Sequence, residues 1–129
     1  MRDIETRDDI ENLMNAFYKK VMKDDVIGFI FTDVAKLDLT HHIPIITDFW
    51  ENVLFSTGTY GRNAMEPHFR LNAQEKFLPK YFERWLWIFA ETVYENFSGP
   101  YAELACSRAN SIAAIMQMKL SQINEGKFD

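Results

Sequence analysis

The sequence predicts an all-α domain, and three observations carry that prediction. Apolar residues recur at steps of three and four along most of the chain. Turn-forming residues gather in two places, Gly58 to Asn72 and Gly99-Pro100. The one short apolar run that could be a strand, Phe29-Ile30-Phe31, has no second strand to pair with.

The first helix is expected from about Arg7 to Lys23. Ile10, Leu13, Met14, Phe17, Tyr18, Val21 and Met22 form its single apolar stripe, and Thr6 with Asp9 makes a capping pair at its start. Val26 to Phe31 reads as a short helix or turn. The second long helix is expected from Thr40 to Ser56, with Leu39, Ile43, Ile46, Phe49, Trp50, Val53 and Leu54 inward. Proline is tolerated only in a first turn, so this helix either starts within a few residues of Pro44 or bends there.

From Thr57 to Lys76 the periodicity dissolves, and the stretch reads as irregular chain. A loop of that length in a compact domain is usually functional. Pro79 suits the first turn of a third helix, whose stripe is Phe82, Trp85, Leu86, Phe89, Val93 and Phe97 before Gly99-Pro100 stops it. The last helix is expected from Tyr101 to Ile123, with Leu104, Ala105, Ile112, Ile115, Met116 and Leu120 inward, followed by a polar tail, Glu125 to Asp129. At 129 residues the chain is expected to be one domain, 1–129, large enough to bury a core.

Aromatic residues make up 15% of the chain, enough for a core built around something large and flat or for dense ordinary packing. The net charge is −5 and the basic residues are scattered, which argues against nucleic acid, whose binding needs clustered Lys and Arg. No membrane partner is expected: there is no basic amphipathic helix, no apolar span of roughly 18 residues and no apolar signal region in Met1 to Asp9. Cys106 is the lone cysteine, read as a small buried apolar residue in a reducing cytoplasm.

The chain lacks a Gly-rich phosphate loop, a CxxC pair, a helical pair of histidines flanking Glu, and a nucleophile elbow, so most hydrolase and transferase readings lose their basis. The histidines are His41, His42 and His68. A lone His is more often a satisfied polar residue than a ligand. His68 stands out because it lies in Glu66-Pro67-His68-Phe69, ahead of a strongly aromatic helix. A haem iron needs one imidazole donor on one side and an apolar slot for the porphyrin. Tyr18 puts a hydroxyl on an apolar stripe: it either points inward and needs a partner, or sits at the core edge with its oxygen in water. Trp85 poses the same question with its indole N–H, whereas Trp87 points away from that stripe.

Phe17-Tyr18-Lys19-Lys20-Val21, with Phe31 thirteen residues after Tyr18, resembles the B helix and following corner of truncated haemoglobins. His42, eight residues before Trp50 in a segment ending Phe49-Trp50, resembles their distal E helix. Pro67-His68 followed by Phe82-Glu83-Arg84-Trp85-Leu86 and Phe89 resembles the proximal histidine and G helix of group III. In order, these motifs span Ile10 to Ile123. The resemblance implies a truncated globin fold, a two-over-two helical sandwich around haem b. It implies His68 as the iron ligand, Tyr18 and Trp85 as distal hydrogen-bond donors, and His42 near the ligand entrance. It also implies Phe31 packed on the haem face, with Ile46 and Phe49 walling the distal side.

Two departures stand out. Ile45 lies one turn past His41, where related chains often carry a basic residue for a haem propionate, so Arg62 or Arg70 becomes the substitute. Pro44 sits close to His42 and leaves its position open, while His41 reads as a solvent-facing neighbour.

The resemblance implies a protein binding dioxygen, nitric oxide, carbon monoxide or similar ligands. Held dioxygen carries partial negative charge on its outer atoms, which preorganised donors in a dry pocket stabilise. One functional class is reversible binding or oxygen transport. Another is redox catalysis, as a nitric oxide dioxygenase or a peroxidase-like enzyme, which would draw electrons from an external reductase because the chain carries no flavin motif. A third reading is a haem-free helical interaction module with an apolar groove, which predicts a colourless protein.

Overall fold

The computed structural model describes residues 1–58 and 65–124. Among the described residues five α-helices follow in order: α1 Arg7–Val21, α2 Leu39–Phe55, α3 Met65–Gln74, α4 Pro79–Asn96 and α5 Pro100–Asn124. A π-helical turn, Ile30–Val34, stands between α1 and α2, and there is no strand among the described residues. The pairs α1–α2 and α4–α5 pack on each other through α1 against α4 and α2 against α5, while α3 leans on α5.

α1 starts where its capping box predicts. The Thr6 hydroxyl accepts from the Asp9 N–H at 3.2 Å, and the Asp9 carboxylate accepts from the Thr6 N–H at 3.0 Å. Arg2 pairs with the same carboxylate and holds its pKa down at about 2. The acidic N-terminal segment has a second structural use. Asp3 accepts from the N–H groups of Tyr101 and Ala102 at 2.9 Å each, capping the start of α5. That close approach explains Gly99, where φ is +142° and a Cβ would meet the Asp3 side chain at 2.6 Å.

α2 runs from five residues before Pro44 and continues through it, with the Asp38 carboxylate accepting from the Thr40 N–H at 3.1 Å as its cap. Pro44 supplies no N–H to Thr40, four residues back, and Thr40 lies on the exposed side of the helix. The face of α2 turned to the core comprises Ile43, Thr47, Trp50 and Leu54. Leu39, Ile46, Phe49 and Val53 are half-buried against it. Thr47 is 1% exposed and, among the described residues, its hydroxyl has no partner.

Two expectations are corrected. The expected irregular stretch from Thr57 to Lys76 contains a ten-residue helix, α3. Pro67 is its third residue, a position where the missing N–H has no helical acceptor to lose. Asn72, read as a turn marker, lies inside that helix because its side chain is bonded elsewhere. Ile115, expected inward, is 50% exposed, because the buried face of α5 runs through Ala109, Ala113, Met116 and Leu120. Small alanines make that face, so its stripe is weak in sequence.

The core is an aromatic assembly. Phe17 lies at its centre, 1% exposed, with edge contacts to Tyr18, Trp85 and Phe89 at 5.2–5.5 Å. Trp50 and Trp85 stack on Phe89 at 5.0 and 5.4 Å. Such pairs add about 0.5–1.5 kcal/mol each beyond burial. Cys106 is buried as expected. Trp87 is exposed, with the Arg84 guanidinium 4.8 Å over its ring.

Candidate functional site

A cavity of about 610 Å³ opens between α3 and the α1–α2 side, and all five helices contribute to its wall. Its lining is predominantly apolar and aromatic. Tyr18 comes from α1, His42, Ile46 and Phe49 from α2, and Trp85 from α4. His68, the fourth residue of α3, and Phe31, from the π turn, also line it.

Tyr18 is placed by the α1 stripe that buries Phe17 and Val21, and it is 5% exposed. Its hydroxyl meets Nε2 of His42 at 2.9 Å, with the two rings edge to face at 5.0 Å. Burial pushes the Tyr18 phenol well above the ordinary tyrosine range, so it stays protonated. Burial, then the nearby charges of His68 and His41, pulls the His42 pKa below its ordinary value. His42 therefore enters the cavity as a neutral imidazole, and Pro44 does not pull it away. His41 is exposed, as expected.

His68 is half-buried, with the edge of Phe77 toward its ring at 6.4 Å. Phe31 touches Tyr18 edge-on at 6.1 Å. Of the two arginines expected near a propionate, Arg70 lines the cavity, as does Ile45, while Arg62 lies outside the described residues. Sequence reasoning missed Tyr81, Leu71 and Phe77 as lining residues. Tyr81 stands one turn before Trp85 and Leu71 nearly one turn after His68, so helical spacing was a usable signal for both. Phe77 sits in the connection between α3 and α4 and carried none.

Among the described residues there is no cluster of His, Cys, Asp and Glu able to hold a bare metal ion. The lining carries two imidazoles in an apolar slot, His68 and His42, and Nε2 of His42 is already engaged by the Tyr18 hydroxyl. That set fits a flat macrocycle that brings its own equatorial donors. A second, charged cleft of about 380 Å³ lies at Lys20, Asp24, Arg84 and Glu91, and its charges satisfy one another. Lys20 bonds Glu91 at 3.1 Å, and Arg84 bonds Asp24 at 2.8 Å.

No family model matches the chain. It is 29% identical over 117 residues to the group 3 truncated haemoglobin ctb of Campylobacter jejuni, covering 88% of this chain and 90% of that protein. Its fold is similar to the crystal structure of a group III truncated haemoglobin from Campylobacter jejuni. There the TM-score is 0.81 and the identity 29%, over 93% of this chain and 95% of the other. No helix among the described residues is long and apolar enough to cross a membrane.

Proposed function

We propose that this chain, a member of the group III truncated haemoglobins, holds haem b in its central cavity through His68 and binds dioxygen there under the donors Tyr18 and Trp85. Truncated haemoglobins bind haem, and globin-type haem proteins take diatomic ligands. The chain is read as one globin domain, 1–129, working in the cytoplasm, with nitric oxide and carbon monoxide as further ligands. The observation that carries the reading is the part-buried Tyr18–His42 hydrogen bond in the wall of an apolar cavity that also presents His68.

Haem, when bound, would supply a ferrous iron able to take a small gas. The chain's own groups do the rest. His68 offers one ring nitrogen as donor, with the Phe77 ring near-perpendicular beside it. Tyr18 keeps its proton because burial penalises the phenolate, so its O–H can turn to a guest molecule when His42 donates to the phenol oxygen. Trp85 lines the same cavity and has no hydrogen-bond acceptor among the described residues, which leaves its N–H for the guest. Ile46 and Phe49 make this part of the wall apolar, and a donor in an apolar setting acts more strongly than in water. Arg70 or Arg62 would pair with a haem propionate.

A second reading, redox turnover as a nitric oxide dioxygenase or peroxidase-like enzyme fed by an external reductase, is favoured by one feature. His42 is a titratable group bonded to the Tyr18 hydroxyl, a path for protons at the cavity. Delivery of dioxygen needs no such path.

The deciding experiment is the visible spectrum of purified wild type and of His68→Gly. Wild type should show a haem Soret band. His68→Gly should lose haem or regain the wild-type spectrum only with added imidazole. A colourless wild type would favour a haem-free interaction module, and an unchanged ferrous spectrum in His68→Gly would remove His68 as ligand. Nitric oxide consumption with an artificial reductant, in wild type and His42→Leu, separates turnover from reversible binding.

A further inference from the structure

Asn72 is a costly residue where it stands. It lies inside α3, where asparagine is a poor helix former, and it is 5% exposed, so each polar atom must find a partner. Its Nδ2 donates to Oδ1 of Asn124 at 2.8 Å, and its Oδ1 accepts from Nδ2 of Asn124 at 3.3 Å. The same Oδ1 accepts from the backbone N–H of Phe77 at 3.0 Å. One side chain thus ties three pieces together: α3, the last residue of α5, and the connection into α4.

His68 lies one turn before Asn72 on the same helix, so the two project from one face. The backbone that Asn72 holds at Phe77 carries the ring that abuts His68. A ten-residue helix is marginal alone and takes its orientation from tertiary contacts. α3 packs on α5, and the reciprocal amide pair fixes where along α5 it sits.

We propose that Asn72, clamped to Asn124, is a positioning residue that sets the orientation of the His68 imidazole through α3 and through Phe77. The inference rests on the reading of His68 as the iron ligand. Groups bonded directly to a metal-bound imidazole change metal affinity by roughly 10–100-fold when removed, and a clamp acting through the helix and Phe77 should do the same more weakly.

The test uses the haem-loaded protein and reads the iron–imidazole stretching band in the ferrous, ligand-free state together with the rate of haem loss to an acceptor apoprotein. Asn72→Ala should shift and broaden the band and speed haem loss by up to about tenfold. Asn124→Ala, at the exposed end of α5, should move both in the same direction by less, because Asn72 keeps Phe77. Asn124→Asp retains the acceptor for Asn72 Nδ2 and should return toward wild type. The double alanine variant should be no worse than Asn72→Ala, since one network is lost once. A lowered melting temperature with band and haem loss unchanged would reduce the clamp to fold stability and overturn the proposal. If Asn72→Ala does not fold, the Asn124 pair of variants decides alone. A wild type without haem would instead refute the His68 reading, which is a separate result.

Discussion

The Tyr18 hydroxyl and Nε2 of His42 are 2.9 Å apart, joining α1 to α2 at the wall of the cavity. His42 is neutral there, so a single ring nitrogen carries its proton. With that proton on Nε2, His42 donates to the phenol oxygen and leaves the Tyr18 O–H free to point at a guest. With the proton on Nδ1, Tyr18 donates to His42 and has nothing left to give. The pair is therefore a choice between two donor directions, and only the first lets Tyr18 donate to a ligand.

Tyr18→Phe removes the hydroxyl and keeps the ring that packs on Phe17. A hydrogen bond of this kind contributes about 1–2 kcal/mol, and ~1.4 kcal/mol is tenfold in an equilibrium constant. Dioxygen release, followed by stopped-flow displacement with carbon monoxide, should accelerate roughly tenfold. An unchanged rate would mean that Tyr18 spends its O–H on His42 in the liganded protein too.

Acid should weaken the fold through His42. Its folded pKa lies below the ordinary value of 6.5, so the unfolded chain binds the proton more readily. The stability it contributes is full above 6.5 and is lost as pH falls from there through the lowered folded value. Thermal midpoints of wild type between pH 7 and 5 should fall more steeply than those of His42→Gln. Parallel slopes would show that His42 relaxes into water on protonation at no cost.

What was legible in the sequence follows from side-chain size and spacing. α1 was readable because large residues repeat on one face and Thr6 with Asp9 marks its start. Tyr18 and His42 were found as separate candidates, but their contact joins residues 24 apart and depends on how α1 crosses α2. α3 was unreadable because Pro67 and Asn72 carry loop statistics, and each is tolerated for a reason invisible locally. One occupies the first turn, and the other bonds a residue 52 positions away. The inner face of α5 was half-read because alanines give no hydrophobic contrast, which let Ile115 pass as core.

Thr47→Val should stabilise the protein. The Thr47 side chain is fully packed on the inner face of α2, and its hydroxyl finds no partner among the described residues. Replacing an unpaired buried hydroxyl by a methyl of the same shape removes a desolvation cost of about 1–3 kcal/mol. The melting temperature should rise by a few degrees with the Soret band unmoved. A fall would show that the hydroxyl is paired through a bound water.

Trp85 separates a role in the cavity from plain packing. Its ring stacks on Phe89 at 5.4 Å and takes the edge of Phe17 at 5.5 Å, so it is part of the aromatic core. It also lines the cavity that holds Tyr18 and His42. Trp85→Phe leaves a smaller ring and should cost roughly 1–3 kcal/mol by cavity formation on either account. Only a donor role predicts an effect on ligands. Dioxygen release should then accelerate, while carbon monoxide release changes far less, because its outer atom carries less negative charge. Tyr18→Phe combined with Trp85→Phe should depart from additivity, since both donors act on one guest. The measurement is the ratio of dioxygen to carbon monoxide release rates in wild type, both single variants and the double. A lowered melting temperature with that ratio unchanged in Trp85→Phe would assign Trp85 to the core alone and leave Tyr18 and His42 to hold the ligand.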